Sequence, residues 1–182
     1  MGAGQVRAYT SSIVERSAIS SKGITVERGR IGPPETDSLF IDPSANEIWR
    51  GLVGWQWLNL ECLSATAVSA FGDVFFSAPD GSIQMLDTRD GRLIDVAVNL
   101  AEIRKRLQNA DERERLLLES VLTEARYGGL TLEKDECYDF VIPPAFGGEI
   151  SSRALVKMPF ASKLHIAGRM YQELRQSLAL KR

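Results

Sequence analysis

The stretch from Ala70 to Val96 constrains the fold more than any other, because three short apolar runs are separated there by two turns. Both turns end in Asp-Gly, at positions 80–81 and 90–91. Asp-Gly is typical of tight turns, since glycine adopts positive φ at little cost and aspartate hydrogen-bonds to nearby backbone. The sequence therefore predicts an antiparallel meander of three strands.

Side chains alternate within the middle run of this meander. Ile83 and Met85 fall on one face of the predicted strand, whereas Gln84 and Leu86 fall on the other. A period of two indicates a strand, and partial apolar alternation is typical of a sheet with one face buried. We therefore expect one face of this sheet to carry the core.

The residues after the meander follow a helical period, because apolar side chains recur three and four positions apart. This spacing predicts three helices, near 100–108, 112–126 and 163–178. Asn99 and Asp111 stand where the first two need an N-cap, and Asn99 has Glu102 at capping-box spacing. The predicted fold class is α+β: an antiparallel β-sheet with helices packed on it and a terminal helix at the C-terminus.

A length of 182 residues with 44% hydrophobic side chains is enough for one packed domain. We assign residues 23–182 to a single α+β domain, and residues 1–22, rich in Ser, Gly and Ala, to a flexible N-terminal arm. The net charge of −2 gives no general reason to expect nucleic acid or an anionic membrane as partner. No apolar run approaches the ~18 residues of a membrane span. The N-terminus has no apolar signal core, so we expect a cytoplasmic protein.

The three tryptophans lie close together in the sequence, at Trp49, Trp55 and Trp57. Gly51 and Gly54 weaken a helix here, so we expect Trp55 and Trp57 to share one face of a strand. Core or rim packing is one interpretation of all three. A partner-binding patch is the other, because tryptophan is enriched at binding hot spots.

Negative charge concentrates in a second segment, residues 133–139, which we call the acidic turn. Its carboxylates are Glu133, Asp135, Glu136 and Asp139, and it lies beside a predicted strand. The simplest interpretation is a solvated turn. The same charge would also suit docking on a basic protein surface, so the acidic turn is a second candidate contact region.

Residues that carry catalysis are sparse. His165 is the sole histidine, which excludes a two-His metal motif and makes it the only candidate for a histidine base. Asp73 and Asp87 are candidate carboxylates, although turn capping explains both. Cys62 and Cys137 do not make a zinc site, and neither common phosphate-loop pattern occurs. We expect no enzyme activity, no catalytic residue, no cofactor and no metal.

Four stretches follow one another between Ser69 and Leu174. They are Phe71-Gly72-Asp73-Val74-Phe75-Phe76, Gly128-Gly129-Leu130, Glu136-Cys137-Tyr138-Asp139-Phe140 with the later Pro143-Pro144 and Gly147-Gly148, and the helix from Leu164 to Gln172. In this order they resemble the C-terminal domain of a family of bacterial immunity proteins, the cognate inhibitors of DNase effectors delivered by type VI secretion. The terminal helix departs from the family, because Gly168-Arg169 stands where Gly-Gln is usual.

The resemblance implies a protein without catalytic residues that binds a cognate effector toxin, a nuclease, and occludes its active site or the path of its substrate. From the charge and the lack of a long apolar run, we expect no direct binding of nucleic acid or membrane. The resemblance supplies no contact residues, so the tryptophans and the acidic turn remain our own candidates. Two alternatives stay open: a non-catalytic scaffold or regulatory binding domain, and a small hydrolase that pairs His165 with a carboxylate such as Asp73.

Overall fold

The computed structural model describes residues 16–17, 25–27 and 31–180. Within these ranges the strands are β1 (Arg16–Ser17), β2 (Thr25–Glu27), β3 (Phe40–Ile41), β4 (Ser64–Ser69), β5 (Val74–Ser77), β6 (Ile83–Asp87), β7 (Arg92–Ala97), β8 (Glu136–Phe140) and β9 (Leu155–Pro159). The α-helices are α1 (Ala45–Leu52), α2 (Leu100–Arg106), α3 (Ala110–Leu117), α4 (Glu119–Tyr127) and α5 (Phe160–Ala179). The predicted α+β class and terminal helix are confirmed.

The predicted meander is formed by β5, β6 and β7. β5 pairs antiparallel with β6, and β6 with β7, so that Phe75 lies opposite Met85 and Met85 opposite Ile94. Gly81 and Gly91, at the two turns, have φ angles of 86° and 66°. These values lie in the left-handed region that glycine adopts without strain, which is why the Asp-Gly pairs turn the chain where the sequence predicts.

Four further strands complete the large sheet. One edge of β4 pairs antiparallel with β5. The other edge pairs with two strands, antiparallel with β3 and parallel with β2. β1 pairs with β2, while β8 and β9 form a separate two-stranded sheet. The arm predicted over residues 1–22 lies outside the described residues, apart from the two residues of β1.

Both faces of the large sheet are buried, so the expectation of one buried face is wrong. On β5 the successive side chains Val74, Phe75 and Phe76 are all fully buried. Phe75 belongs to the core that contains α2, α3 and α4, whereas Val74 and Phe76 belong to the core that contains α1 and α5. A short continuous apolar run is typical of a strand covered on both faces.

The helices on the first face follow the predicted pattern only in part. At α2, Asn99 Oδ1 accepts a hydrogen bond from the Glu102 N–H at 2.9 Å, which confirms this cap. The next predicted helix is instead two helices, because Leu118 adopts a left-handed conformation, with φ and ψ both 50°, between α3 and α4. Asn109 caps α3 by accepting from the Asp111 N–H at 2.7 Å, so the prediction of Asp111 as the cap is wrong.

The tryptophan segment is helical rather than extended, which corrects a second prediction. Trp49 lies in α1, and a 3-10 turn follows at Val53–Trp55. The helical position 51 is occupied by glycine because Leu164 of α5 fills the space where a Cβ would point. The glycine therefore serves close packing of α1 on α5, and Trp55 and Trp57 share no strand face.

Candidate functional site

Asp73, at the start of the meander, is only 1% exposed. Its Oδ2 accepts a hydrogen bond from Ser69 Oγ at 3.0 Å. Its Oδ1 accepts from the backbone N–H and the Oγ1 of Thr88, at 2.9 and 2.8 Å. Since Ser69 ends β4 and Thr88 follows β6, the carboxylate fastens two connections of the sheet together, which supports the interpretation as turn capping.

Lys163 of α5 joins this cluster from the helix side. Its side chain is buried, and its Nζ donates hydrogen bonds to the Phe71 carbonyl, at 2.8 Å, and to Thr88 Oγ1. We call Ser69, Asp73, Thr88 and Lys163 the buried polar network. The network fastens α5 to the meander and gives its buried polar groups hydrogen-bond partners, with Thr88 linking Lys163 to Asp73. No feature of the sequence distinguishes Lys163 from a surface lysine.

A second carboxylate lies close to the network. Asp87 Oδ1 accepts a hydrogen bond from the Arg89 N–H at 3.0 Å and lies 3.3 Å from Arg89 Nε. Burial raises the pKa of Asp87, the charge of Asp73 raises it further, and Arg89 acts in the opposite direction. The Arg89 carbonyl accepts a hydrogen bond from the Tyr171 hydroxyl, whose pKa burial raises to about 12. These contacts hold the β6–β7 turn against α5.

His165 does not pair with these carboxylates. It is partly exposed on α5, and its backbone carbonyl lies against Gly54. Both Asp73 oxygens are occupied by Ser69 and Thr88, so the pair that the hydrolase alternative needs is not formed. Among residues 31–180 and the short described segments before them, no three His, Cys, Asp or Glu side chains are grouped to hold a metal ion.

The two cysteines are free thiols in different surroundings. Cys62 is exposed, whereas Cys137 on β8 is fully buried. Burial raises the pKa of Cys137 to about 12, so this thiol stays protonated near neutral pH. A buried, protonated thiol is a small apolar packing group rather than a nucleophile.

Trp55 and Trp57 attach their segment to α5. The Nε1 of Trp55 donates to the Leu164 carbonyl at 2.7 Å, and that of Trp57 to the Gly168 carbonyl at 3.1 Å. The two rings stack with centroids 5.7 Å apart. Trp55 is fully buried, so packing accounts for it, and it offers no surface to a partner in this conformation.

Trp49 has a different environment. It is partly exposed and lines a shallow depression of about 240 Å³ together with Gln56, Asn59 and Glu61. Trp57 also keeps partial exposure, with the Arg175 guanidinium 5.5 Å from its ring centroid. Of the three candidate tryptophans, these two retain surface for a contact.

The acidic turn is partly committed to the fold. The Asp135 carbonyl accepts a hydrogen bond from Phe160 N–H, the first residue of α5, at 2.8 Å, and Asp135 has a φ of 63°. Glu136 Oε2 accepts from the Glu133 N–H at 2.8 Å and pairs with Lys157 at 2.9 Å. These two contacts, the backbone bond first, lower the pKa of Glu136. Asp135 and Glu136 therefore support the turn and the helix start.

Glu133 and Asp139 are less committed to structural contacts than Asp135 and Glu136. The Glu133 side chain is exposed, while Asp139 is partly exposed and accepts a hydrogen bond from the Phe140 N–H at 2.9 Å. Asp139 lines a cleft of about 60 Å³ between α5 and the β8–β9 hairpin, near Arg89 and Met170. The structure thus brings Asp139 next to α5 but places the tryptophan segment and the acidic turn on different elements.

A third surface was not indicated by the sequence reasoning. The connection between β8 and β9 exposes Val141 by 64%, Ile142 by 55%, Phe146 by 52% and Ile150 by 49%. We call residues 141–150 the apolar loop. The density of apolar side chains around Pro-Pro and Gly-Gly was visible in the sequence, but the sequence alone predicted only an ordered loop there. Which side chains face solvent depends on the hairpin and its packing.

No helix in the described part of the chain is both long and apolar enough to span a membrane. No curated protein matches the sequence. Three solved chains match, among them the crystal structure of Atu4351 from Agrobacterium tumefaciens, with a TM-score of 0.45 and 16% identity over 71% of this chain. This chain covers 65% of that one, which is less than two thirds of its length.

Residues 97–171 match the family model described as "T6SS immunity protein Tdi1, C-terminal". The match begins at the last residue of β7 and ends in α5, so it contains the acidic turn, the apolar loop and Lys163. The resemblance seen between Ser69 and Leu174 is therefore supported for its second part, whereas the meander precedes the matched range. Over this region the chain is similar to the C-terminal domain of type VI secretion immunity proteins.

Proposed function

We propose that this protein binds a DNase effector in the cytoplasm of the cell that produces both, and neutralises it by covering its active site or the path of its DNA substrate. The observation that carries the proposal is the family match over residues 97–171, because immunity proteins bind an effector partner. The DNase target rests on the resemblance between Ser69 and Leu174 and on the charge of the acidic turn.

The charge argument is electrostatic. A DNase must present positive potential to a polyanionic substrate. The acidic turn carries four carboxylates and one lysine within residues 133–139, and Glu133 is exposed. Complementary charge accelerates association and orients the two proteins. A negative surface can therefore occupy the cations that the DNase uses for DNA.

The test is co-expression of this protein with the product of the neighbouring gene, followed by affinity capture and a plasmid-degradation assay. We expect a stable complex in which DNA cleavage stops. The matched control is the same effector with an unrelated acidic protein of equal size, because a purely non-specific charge effect would inhibit in both samples. An active neighbouring nuclease that neither binds nor loses activity would contradict the proposal.

A further inference from the structure

The apolar loop is the densest exposed apolar segment among the described residues. Ten large hydrophobic residues are exposed in the described part of the chain, and four of them fall between positions 141 and 150. Clustered apolar surface on a soluble protein marks a binding site, whereas isolated exposed apolar residues are ordinary. The loop therefore requires an explanation that scattered positions such as Val98 and Leu178 do not.

The loop is held by its own backbone rather than by burial of its side chains. The Phe146 N–H donates to the Pro143 carbonyl, and the Gly147 N–H to the Pro144 carbonyl, each at 2.9 Å. Gly147 has a φ of 84°, which glycine accommodates without strain. The two prolines also fix φ at their own positions. Little conformational entropy is left to lose on binding, so the exposed side chains are preorganised for a contact.

The hairpin beneath the loop is anchored in the core. The Tyr138 N–H donates to the Ala70 carbonyl at 2.8 Å, and its hydroxyl to the Leu130 carbonyl at 2.6 Å. Phe140 and Leu155, which pair across the hairpin, are both buried. Because this base is anchored, the loop should keep its position when a partner binds, as a binding surface requires.

The charges around the loop indicate the partner. Between Tyr138 and Ser152 the sequence contains two acidic residues, Asp139 and Glu149, and no lysine or arginine. Asp139 precedes the loop, and Glu149 lies within it and is exposed. A partner with a positive face complements this surface, whereas a second copy of the same loop would bring like charges together.

We propose that the apolar loop is the anchor of the effector interface, and that it inserts Ile142 and Phe146 into an apolar recess on the positive face of the effector. This inference rests on the proposed function. It assigns the hot spot to the β8–β9 connection rather than to the tryptophan segment. Glu149 and Asp139 then lie at the rim of the contact and face cations of the effector.

The test compares the double variant Ile142→Ser/Phe146→Ser with the matched control Val98→Ser/Leu178→Ser, which removes apolar side chains at least as exposed elsewhere. Affinity for the purified neighbouring effector is measured by calorimetry, and folding by circular dichroism and melting temperature. We expect the loop variant to keep its melting temperature and to bind at least about 30-fold more weakly, the effect of losing a hot spot. The control should bind as the wild type does.

The outcomes separate this inference from the proposed function. If the wild-type protein does not bind an active effector, the proposed function fails. If the wild-type protein binds and the loop variant binds equally well, the function stands and the loop assignment is overturned. A wild-type dimer that the loop variant converts to a monomer, in light scattering without effector, would assign the loop to self-association and overturn the inference too.

A charge variant tests the rim independently. Glu149→Lys should slow association several-fold at low salt and reduce its dependence on ionic strength, because rim charges act mainly on the association rate. The matched control is Glu124→Lys, an exposed carboxylate on α4. Equal effects of the two variants would show only a response to net charge and would contradict a positive effector face at the loop.

Discussion

The buried polar network and the apolar loop place their side chains in opposite environments: the network buries polar groups, and the loop exposes apolar ones. In the network, charged Asp73 and Lys163 are enclosed beneath α5. In the loop, Ile142 and Phe146 face solvent. Burying a charge costs free energy unless it is paired, and exposing apolar side chains forgoes hydrophobic stabilisation. Hydrogen bonds with Ser69, Thr88 and the Phe71 carbonyl offset the first cost, whereas no contact in the described structure offsets the second.

This contrast separates stability from binding. Substitutions in the network should lower the free energy of unfolding, because each polar partner there depends on another. Substitutions in the loop should leave that free energy unchanged and act on the complex. The acidic turn lies between these extremes, since Asp135 and Glu136 make structural contacts while the Glu133 side chain is exposed.

The largest loss of stability is expected for Lys163→Met. Removing this ammonium leaves Thr88 Oγ1 and the Phe71 carbonyl without their buried donor. Leaving a buried acceptor without its donor costs about 1–3 kcal/mol for each group. Urea unfolding measures the change. The matched control is Lys157→Met, whose solvent-screened pair with Glu136 should contribute little to stability. Equal losses in the two variants would contradict a special role for the network.

A smaller loss is expected for Asp135→Val in the acidic turn. Asp135 has a φ of 63°, and a β-branched residue in the left-handed region costs about 1–2 kcal/mol. Asp135→Asn keeps a side chain that tolerates this conformation and should be close to neutral. Melting temperatures of the two variants give the comparison. Charge reversal at Asp135 is a poor binding test, because it would also disturb this strained position. Glu133→Lys is a better one, because the Glu133 side chain is exposed.

Asp87→Asn should change the dependence of stability on pH. The pKa of Asp87 is raised above 3.8 by burial and by Asp73, so the folded protein holds this proton where the unfolded chain has released it. Stability from this group is therefore lost as pH rises through that window, and the ionised form is unfavourable above it. We expect the stability of the variant relative to wild type to improve between acid and neutral pH. A difference that is constant with pH would contradict this assignment.

Local features of the fold could be predicted from the sequence, and non-local ones could not. The Asp-Gly turns and the Asn99 cap depend on a few neighbouring residues, so the meander and α2 followed directly. Burial of both sheet faces depends on where α1 and α5 pack. The close packing of the tryptophan segment on α5 depends on Gly51 meeting Leu164, which is 113 positions away in the sequence (164 − 51). Propensity alone favours a non-helical segment there, and tertiary packing overrides it.

The candidate contact residues show the same limit of prediction from local sequence. Glu133 and Asp139 were identified by charge, which is visible in any sequence, and both retain exposed surface. The apolar loop was missed because apolar residues beside Pro-Pro and Gly-Gly are compatible with a buried or an exposed connection. The buried Lys163 was missed because lysine is usually at the surface. Its position follows from the contact of α5 with the meander, which no local pattern predicts.

The smallest effect on stability is expected for Phe146→Ala, and it tests the contrast between the two regions most directly. Phe146 is 52% exposed, whereas Phe140 at the end of β8 is 4% exposed. Surface substitutions usually change stability by less than about 0.5 kcal/mol, while truncation of a buried phenylalanine costs about 3–5 kcal/mol. Chemical unfolding of Phe146→Ala and Phe140→Ala compares the same chemistry on one hairpin. If Phe146→Ala were as destabilising as Phe140→Ala, the loop side chains would belong to the core. Their exposure would then no longer argue for an effector interface.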